Sequence, residues 1–245
     1  MKRLTTIALM TLFAFAAAAR SPLDARAGAQ PQEPSTAAKP ADGKTLVYAD
    51  FERVENGRPV SARGGLIQLF AYEENMVRKS TFKGLEGVTP PAPELVRIKK
   101  EDPNRAMKFD YSLLAPNQWA GVTVEIHGLP DADGKAVPDD VTGYKNLTLQ
   151  VYATGIRILR LEVISGERGR DMGRQYPQKD FEVRSGFNTY KVPLSSFTQP
   201  AWVTDRIDPK EILRQLTSVN LTAFCEQCET IRQGMVIVDN VVFEK

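Results

Sequence analysis

Apolar and polar residues alternate in short runs along most of the chain. Leu147, Leu149, Val151 and Ala153 alternate with Thr148, Gln150 and Tyr152, and Leu159, Leu161 and Val163 alternate with Arg160 and Glu162. A period of two is the pattern of strands with one buried face. With Thr154-Gly155 as the turn, the two runs predict a central hairpin within 139–164. Its one face is aliphatic, and its other carries Gln150, Tyr152, Arg160 and Glu162 side by side.

Other runs extend the pattern. Residues 45–52 predict a first strand in which Asp50 and Glu52 flank Phe51, so the two carboxylates share a side and form either a metal corner or a solvated edge. Further strands are predicted at 66–72, 95–98, 107–111, 122–126, 181–183, 190–194, 219–224 and 235–243. One helix is predicted over 207–216, with Asp208 as its cap and Pro209 at its first position. The stretch 83–103 contains Pro-Pro-Ala-Pro and Lys-Lys-Glu-Asp-Pro-Asn and reads as an irregular excursion. Short strands, frequent turn signals and almost no helix predict an all-β sandwich and exclude parallel α/β architectures.

Composition adds little to that fold, but the first residues change the domain picture. At 42% hydrophobic and 25% charged residues, the chain is ordinary globular material able to bury a core. Met1-Lys2-Arg3, an apolar run at 7–19 and Ala27-Gly28-Ala29 predict a signal peptide over 1–29. The run is short for a membrane span, so no span is expected after cleavage and the destination is secreted or periplasmic. Residues 30–43 are rich in Pro, Ala and Gln and predict a disordered linker, leaving 44–245 as the β-sandwich domain. The leader carries Lys2, Arg3, Arg20 and Arg26 against Asp24, so its removal turns the formal +2 into about −1. That balance provides no footprint for nucleic acid.

Catalytic motifs are scarce. The chain has no Gly-x-Ser-x-Gly elbow, no His-Glu-x-x-His and no phosphate-cradling glycine loop, and its one histidine, His127, sits at a predicted strand end. The expectation is therefore a non-enzyme, with paired carboxylates of the glycosidase kind as the weaker alternative. Asp131-Ala-Asp-Gly-Lys135 reads as a solvated turn. Cys225 and Cys228 are close enough in sequence for a local disulfide across a turn, worth about 2 kcal/mol; a free dithiol is the minority reading. Sugar rings offer apolar C–H faces to aromatic platforms and hydroxyls to polar neighbours. Trp119, Tyr152, Tyr176, Trp202 and Tyr72 are candidate platforms, and Gln150, Arg160 and Glu162 candidate partners. Arg168, Arg170 and Arg174 favour either acidic glycans or plain solubility.

The order of several pieces carries a family resemblance. Asp50-Phe-Glu52, Lys108-Phe-Asp-Tyr111 before Trp119-Ala-Gly121, Asp140-Val-Thr-Gly-Tyr144 before Leu147-Thr-Leu149, Tyr190-Lys-Val-Pro-Leu-Ser-Ser-Phe197, and a last run from Gly234 to Asp239-Asn-Val241 succeed one another. Together they resemble galactose-binding-like jelly rolls over nearly all of 45–245. More narrowly, they resemble complex I intermediate-associated proteins and carbohydrate-binding modules of glycoside hydrolases. The resemblance implies a jelly-roll β-sandwich that binds glycans, with a structural calcium between the first and last strands held by Glu52 and Asp239, and Asp50 as a third ligand. The expectation is an exported, non-catalytic carbohydrate-binding module whose partner is a polysaccharide or other glycan. A protein-interaction module of the assembly type is the alternative.

Overall fold

Residues 43–71, 91–113, 116–126, 138–165, 176–225 and 232–245 are described by the computed structural model. The predicted signal peptide, the linker up to residue 42, Tyr72, His127, the 131–135 turn, Arg168, Arg170, Arg174 and Cys228 lie outside them, and with Cys228 so does the predicted disulfide. In chain order the strands are β1 (Thr45–Ala49), β2 (Val54–Glu55), β3 (Arg58–Pro59), β4 (Ile67–Ala71), β5 (Glu94–Arg97), β6 (Arg105–Leu113) and β7 (Gln118–Glu125). They continue with β8 (Asn146–Ala153), β9 (Ile158–Ile164), β10 (Gln178–Glu182), β11 (Asn188–Pro193), β12 (Ser218–Cys225) and β13 (Arg232–Glu244). A short helix, α1 (Pro209–Arg214), precedes β12.

The first sheet runs β11-β8-β13-β6-β5, with β1 also paired to β13, and the second runs β10-β9-β12-β7-β4. The chain is an all-β sandwich of the jelly-roll kind. Alternation explains the core: Leu147, Leu149, Val151, Phe109, Val236 and Val238 point inward from the first sheet, and Leu159, Leu161, Val163, Val122, Leu221 and Ile67 from the second, all 4% exposed or less. The helix forms where predicted. Asp208 accepts from the Lys210 amide at 2.9 Å, Pro209 sits in the first turn, and Ile212 and Leu213 are buried.

The predicted central hairpin does not form. β8 pairs with β11 and β13, whereas β9 pairs with β10 and β12, so the two runs lie in different sheets. Residues 154–157 step from one sheet to the other. Thr154 exchanges hydrogen bonds with Met235 of β13, its amide donating to the Met235 carbonyl at 2.9 Å, and the Arg157 carbonyl accepts from Val183 just beyond β10 at 2.7 Å. Two strands with one apolar stripe each bury those stripes equally well side by side or facing one another across a core. Alternation is the same in both arrangements.

The described part of the 83–103 excursion contributes regular structure. The Pro91 carbonyl accepts from Leu69 of β4 at 2.8 Å, and β5 then pairs with β6 at the edge of the first sheet.

Candidate functional site

Register places a set of polar side chains in line across the outer face of the second sheet. Gln178 of β10 lies opposite Glu162 of β9, Glu162 opposite Asn220 of β12, Asn220 opposite Thr123 of β7, and Thr123 opposite Gln68 of β4. The line is stitched together. Thr123 Oγ1 donates to Asn220 Oδ1 at 2.9 Å, Asn220 Nδ2 donates to Glu162 Oε2 at 3.2 Å, and Gln68 Nε2 donates to Glu125 Oε1 at 2.9 Å.

Beside this line the face turns aromatic. Trp119 of β7 lies opposite Phe224 of β12, and Phe70 of β4 lies opposite Gly121. A Cβ on Gly121 would stand 3.0 Å from the Phe70 ring, so the missing side chain lets that ring lie against the sheet. The Arg160 guanidinium sits 4.0 Å from the centre of the Phe224 ring. One side of the Arg160 guanidinium is also held by Asp180, Nε donating to Oδ1 at 2.7 Å and Nη2 to Oδ2 at 2.9 Å. Between Arg160 and Gly121 stands Thr222, 3% exposed, whose hydroxyl has no hydrogen-bond partner. That is an unmet hydrogen-bonding group on a face that is otherwise well satisfied.

Burial pushes the Glu162 carboxyl above the ordinary carboxylate range; the Asn220 hydrogen bond and the Arg160 charge pull it back only in part. Burial raises Glu125 in the same way, against a hydrogen bond from the protein backbone. A carboxyl of this kind keeps its proton in the fold at pH values where the unfolded chain, with a pKa of about 4.3, has lost it. Stability from Glu162 is therefore complete below that value and is lost as pH rises through the folded value. Glu162→Gln retains an acceptor for Asn220 without the charge. The melting temperature of E162Q should exceed that of the parent at pH 7, and the gap should close toward pH 4. A constant gap across pH would contradict the assignment.

The structure thus divides the residues singled out in the sequence. Arg160, Glu162 and Trp119 share the outer face of the second sheet. Gln150 and Tyr152 stand on the outer face of the first sheet, the far side of the sandwich, with Tyr152 opposite Ile237. The predicted grouping of Gln150 and Tyr152 with Arg160 and Glu162 is corrected accordingly. Tyr176 lies just before β10, and Trp202 is 70% exposed in the segment between the second sheet's edge and α1. Sequence reading missed Phe70, Phe224, Gln68, Thr123, Asn220, Thr222 and Glu125. Alternation within 66–72, 122–126 and 219–224 was their available signal.

The expected calcium ligands meet a different arrangement. Asp239 and Asn240 interrupt the ladder of β13, where the pairing to β8 shifts register and Asn240 adopts φ +52°. Asp239 is fully buried and accepts from Asn104 Nδ2 at 2.8 Å and from the Asn240 amide at 2.8 Å. Glu52 accepts from the Arg105 amide at 2.5 Å and from Arg105 Nε at 3.3 Å, and Asp50 accepts from the Glu52 amide at 3.3 Å. Among the described residues, no group of three or more His, Cys, Asp or Glu side chains is placed to hold a metal ion. A calcium ion here would compete with Arg105 for Glu52 and with Asn104 for Asp239, whose present hydrogen bonds hold these carboxylates in place. Chelation with EGTA should leave the melting temperature unchanged; a fall would restore calcium to Asp50, Glu52 and Asp239.

No helix among the described residues is long and apolar enough to cross a membrane. No family model matches the chain, and no curated protein matches it. Among solved structures, the chain is similar to a family 11 carbohydrate-binding module of a cellulosomal cellulase of Clostridium thermocellum, at 14% identity and a TM-score of 0.48, over 82% of this chain and 94% of that one. It is also similar to a family 30 carbohydrate-binding module of another cellulosomal cellulase of Clostridium thermocellum, at 8% identity and a TM-score of 0.47, over 74% of this chain and 92% of that one. An exo-β-agarase matches at 13% identity and a TM-score of 0.42, over 82% of this chain and 25% of that one. The narrower resemblance to complex I intermediate-associated proteins finds no support in these comparisons.

Proposed function

We propose that this chain is an exported, non-catalytic carbohydrate-binding β-sandwich that holds a neutral polysaccharide across the outer face of its second sheet. The observation that carries this reading is the polar line Gln178, Glu162, Asn220, Thr123 and Gln68 running alongside Trp119, Phe224 and Phe70. Amides, a hydroxyl and carboxyls suit sugar hydroxyls, and the aromatic side chains suit the C–H faces of pyranose rings. Asp180 neutralises Arg160, so among the described residues the face has no spare cation for an acidic chain. The test is affinity gel electrophoresis of the mature protein through neutral polysaccharides such as mixed-linkage β-glucan, galactan and agarose. Retardation by at least one of them is expected, together with its loss in Trp119→Ala at an unchanged melting temperature. Free migration through all of them would overturn the reading and favour a protein partner.

A further inference from the structure

We propose a second site at the free edge of the same sheet that takes an acidic sugar residue, a pyranose bearing a carboxylate. β10 ends the second sheet, and between it and the segment after β11 lies a pocket of about 480 Å³. That volume is within the range that holds small ligands. Gln178, Lys179, Ser196, Thr198, Gln199 and Arg206 give it a mainly polar wall of hydroxyls, amides and cations, with Pro200 and Ala201 as its apolar part.

The charges in the pocket do not balance. Its one carboxylate, Asp180, has both oxygens engaged by Arg160. Lys179 and Arg206 form no ion pair among the described residues, and Arg206 spends its contacts on the carbonyls of Gln199 and Ala201, at 3.1 and 3.0 Å. The local field therefore favours an anion.

The wall is also held in shape before any ligand arrives. Gln178 and Thr198 exchange backbone hydrogen bonds at 2.9 and 3.1 Å, the Ile207 amide donates to Gln199 Oε1 at 2.8 Å, and the Val203 amide donates to the Pro200 carbonyl at 3.1 Å. A fixed wall lowers the ordering cost of binding. Trp202 follows Ala201 on this clamped segment and is 70% exposed, the most exposed large hydrophobic side chain among the described residues. An inorganic anion has no use for an indole, whereas a sugar ring covers it with a C–H face. Carboxylate to Lys179 and Arg206 and hydroxyls to Gln178, Ser196 and Thr198 describe a uronate, and the exposed Trp202, next in the chain to the wall residue Ala201 but not itself part of the wall, is the platform proposed for its ring face. The site adjoins the proposed polysaccharide face through Gln178 but does not rest on that reading.

Isothermal titration of the mature protein with oligogalacturonate, with the matching neutral galacto-oligosaccharide and with inorganic phosphate tests the proposal. Oligogalacturonate should bind, more weakly as sodium chloride is raised. Its affinity should fall about tenfold in Lys179→Gln and about tenfold in Trp202→Ala, and should hold in Trp119→Ala. Absence of oligogalacturonate binding, equal binding of the neutral oligomer, or indifference to both edge variants would overturn it. Phosphate binding that persists in Trp202→Ala while the uronate gains nothing over phosphate would overturn it as well. Loss of neutral-polysaccharide binding in W119A concerns the sheet face alone, so the two readings fail separately.

Discussion

Gly155→Ala should destabilise the protein by roughly 3–5 kcal/mol, a large share of the 5–15 kcal/mol typical of a folded domain. Gly155 adopts φ +76°, and a Cβ there would stand 2.0 Å from the Gln233 carbonyl oxygen and 2.9 Å from the Tyr111 hydroxyl. Neither obstacle yields easily. The first is backbone of β13, and the Tyr111 hydroxyl is committed to the Thr154 carbonyl at 2.6 Å. Gly234 presents the mirror problem, its added Cβ falling 1.9 Å from the Thr154 carbonyl oxygen. The crossing from β8 to β9 is thus built by two backbones in contact, and only glycine at both points permits it. Gly143, with nothing within 4 Å and no positive φ, is the control. In urea unfolding, G155A should shift the midpoint sharply with little change in slope, while G143A should stay within about 0.5 kcal/mol of the parent. Equal midpoints for G155A and the parent would mean that the crossing is not as tight as described.

The largest expected effect on binding follows from the division of the two outer faces. Trp119→Ala should reduce affinity for the neutral polysaccharide by tenfold or more, about 1.4 kcal/mol or above. Tyr152→Ala should leave it unchanged. Trp119 stands opposite Phe224 and two residues from Gly121, over which Phe70 lies, so its loss opens the middle of the aromatic strip. Tyr152 is on the other side of the sandwich, opposite Ile237 and in line with Lys108. Measured together by affinity electrophoresis, the pair decides which face is used. A Tyr152→Ala effect as large as that of Trp119→Ala would move the site to the first sheet.

Much of the architecture was legible before any coordinates. Alternation within 147–153 and 159–163 assigned Leu147, Leu149, Val151, Leu159, Leu161 and Val163 to the core, and all are buried. Asp208 and Pro209 announced the start of α1, since capping is a contact between neighbours in sequence. The short strand predicted at 95–98 is β5, one residue earlier. The site was less legible. Arg160 and Glu162 were read as facing a ligand with Gln150 and Tyr152, when their companions are Asp180, Asn220, Phe224 and Thr222 from strands up to 64 residues away in the chain. Likewise alternation leaves Glu52 as either a metal corner or a solvated edge, and it cannot show that Arg105, 53 positions later, hydrogen-bonds it.

By itself the sequence located most of the long strands, the buried side of each of those and the start of the helix, though not β2, β3 or the end of β1 at Ala49. These depend on side-chain period and on contacts between near neighbours. Only the tertiary structure decided that β8 and β9 belong to opposite sheets, and hence which polar residues share a face. Backbone hydrogen bonds join any two strands with the same geometry, so pairing is selected by how the whole set of apolar stripes closes on one core.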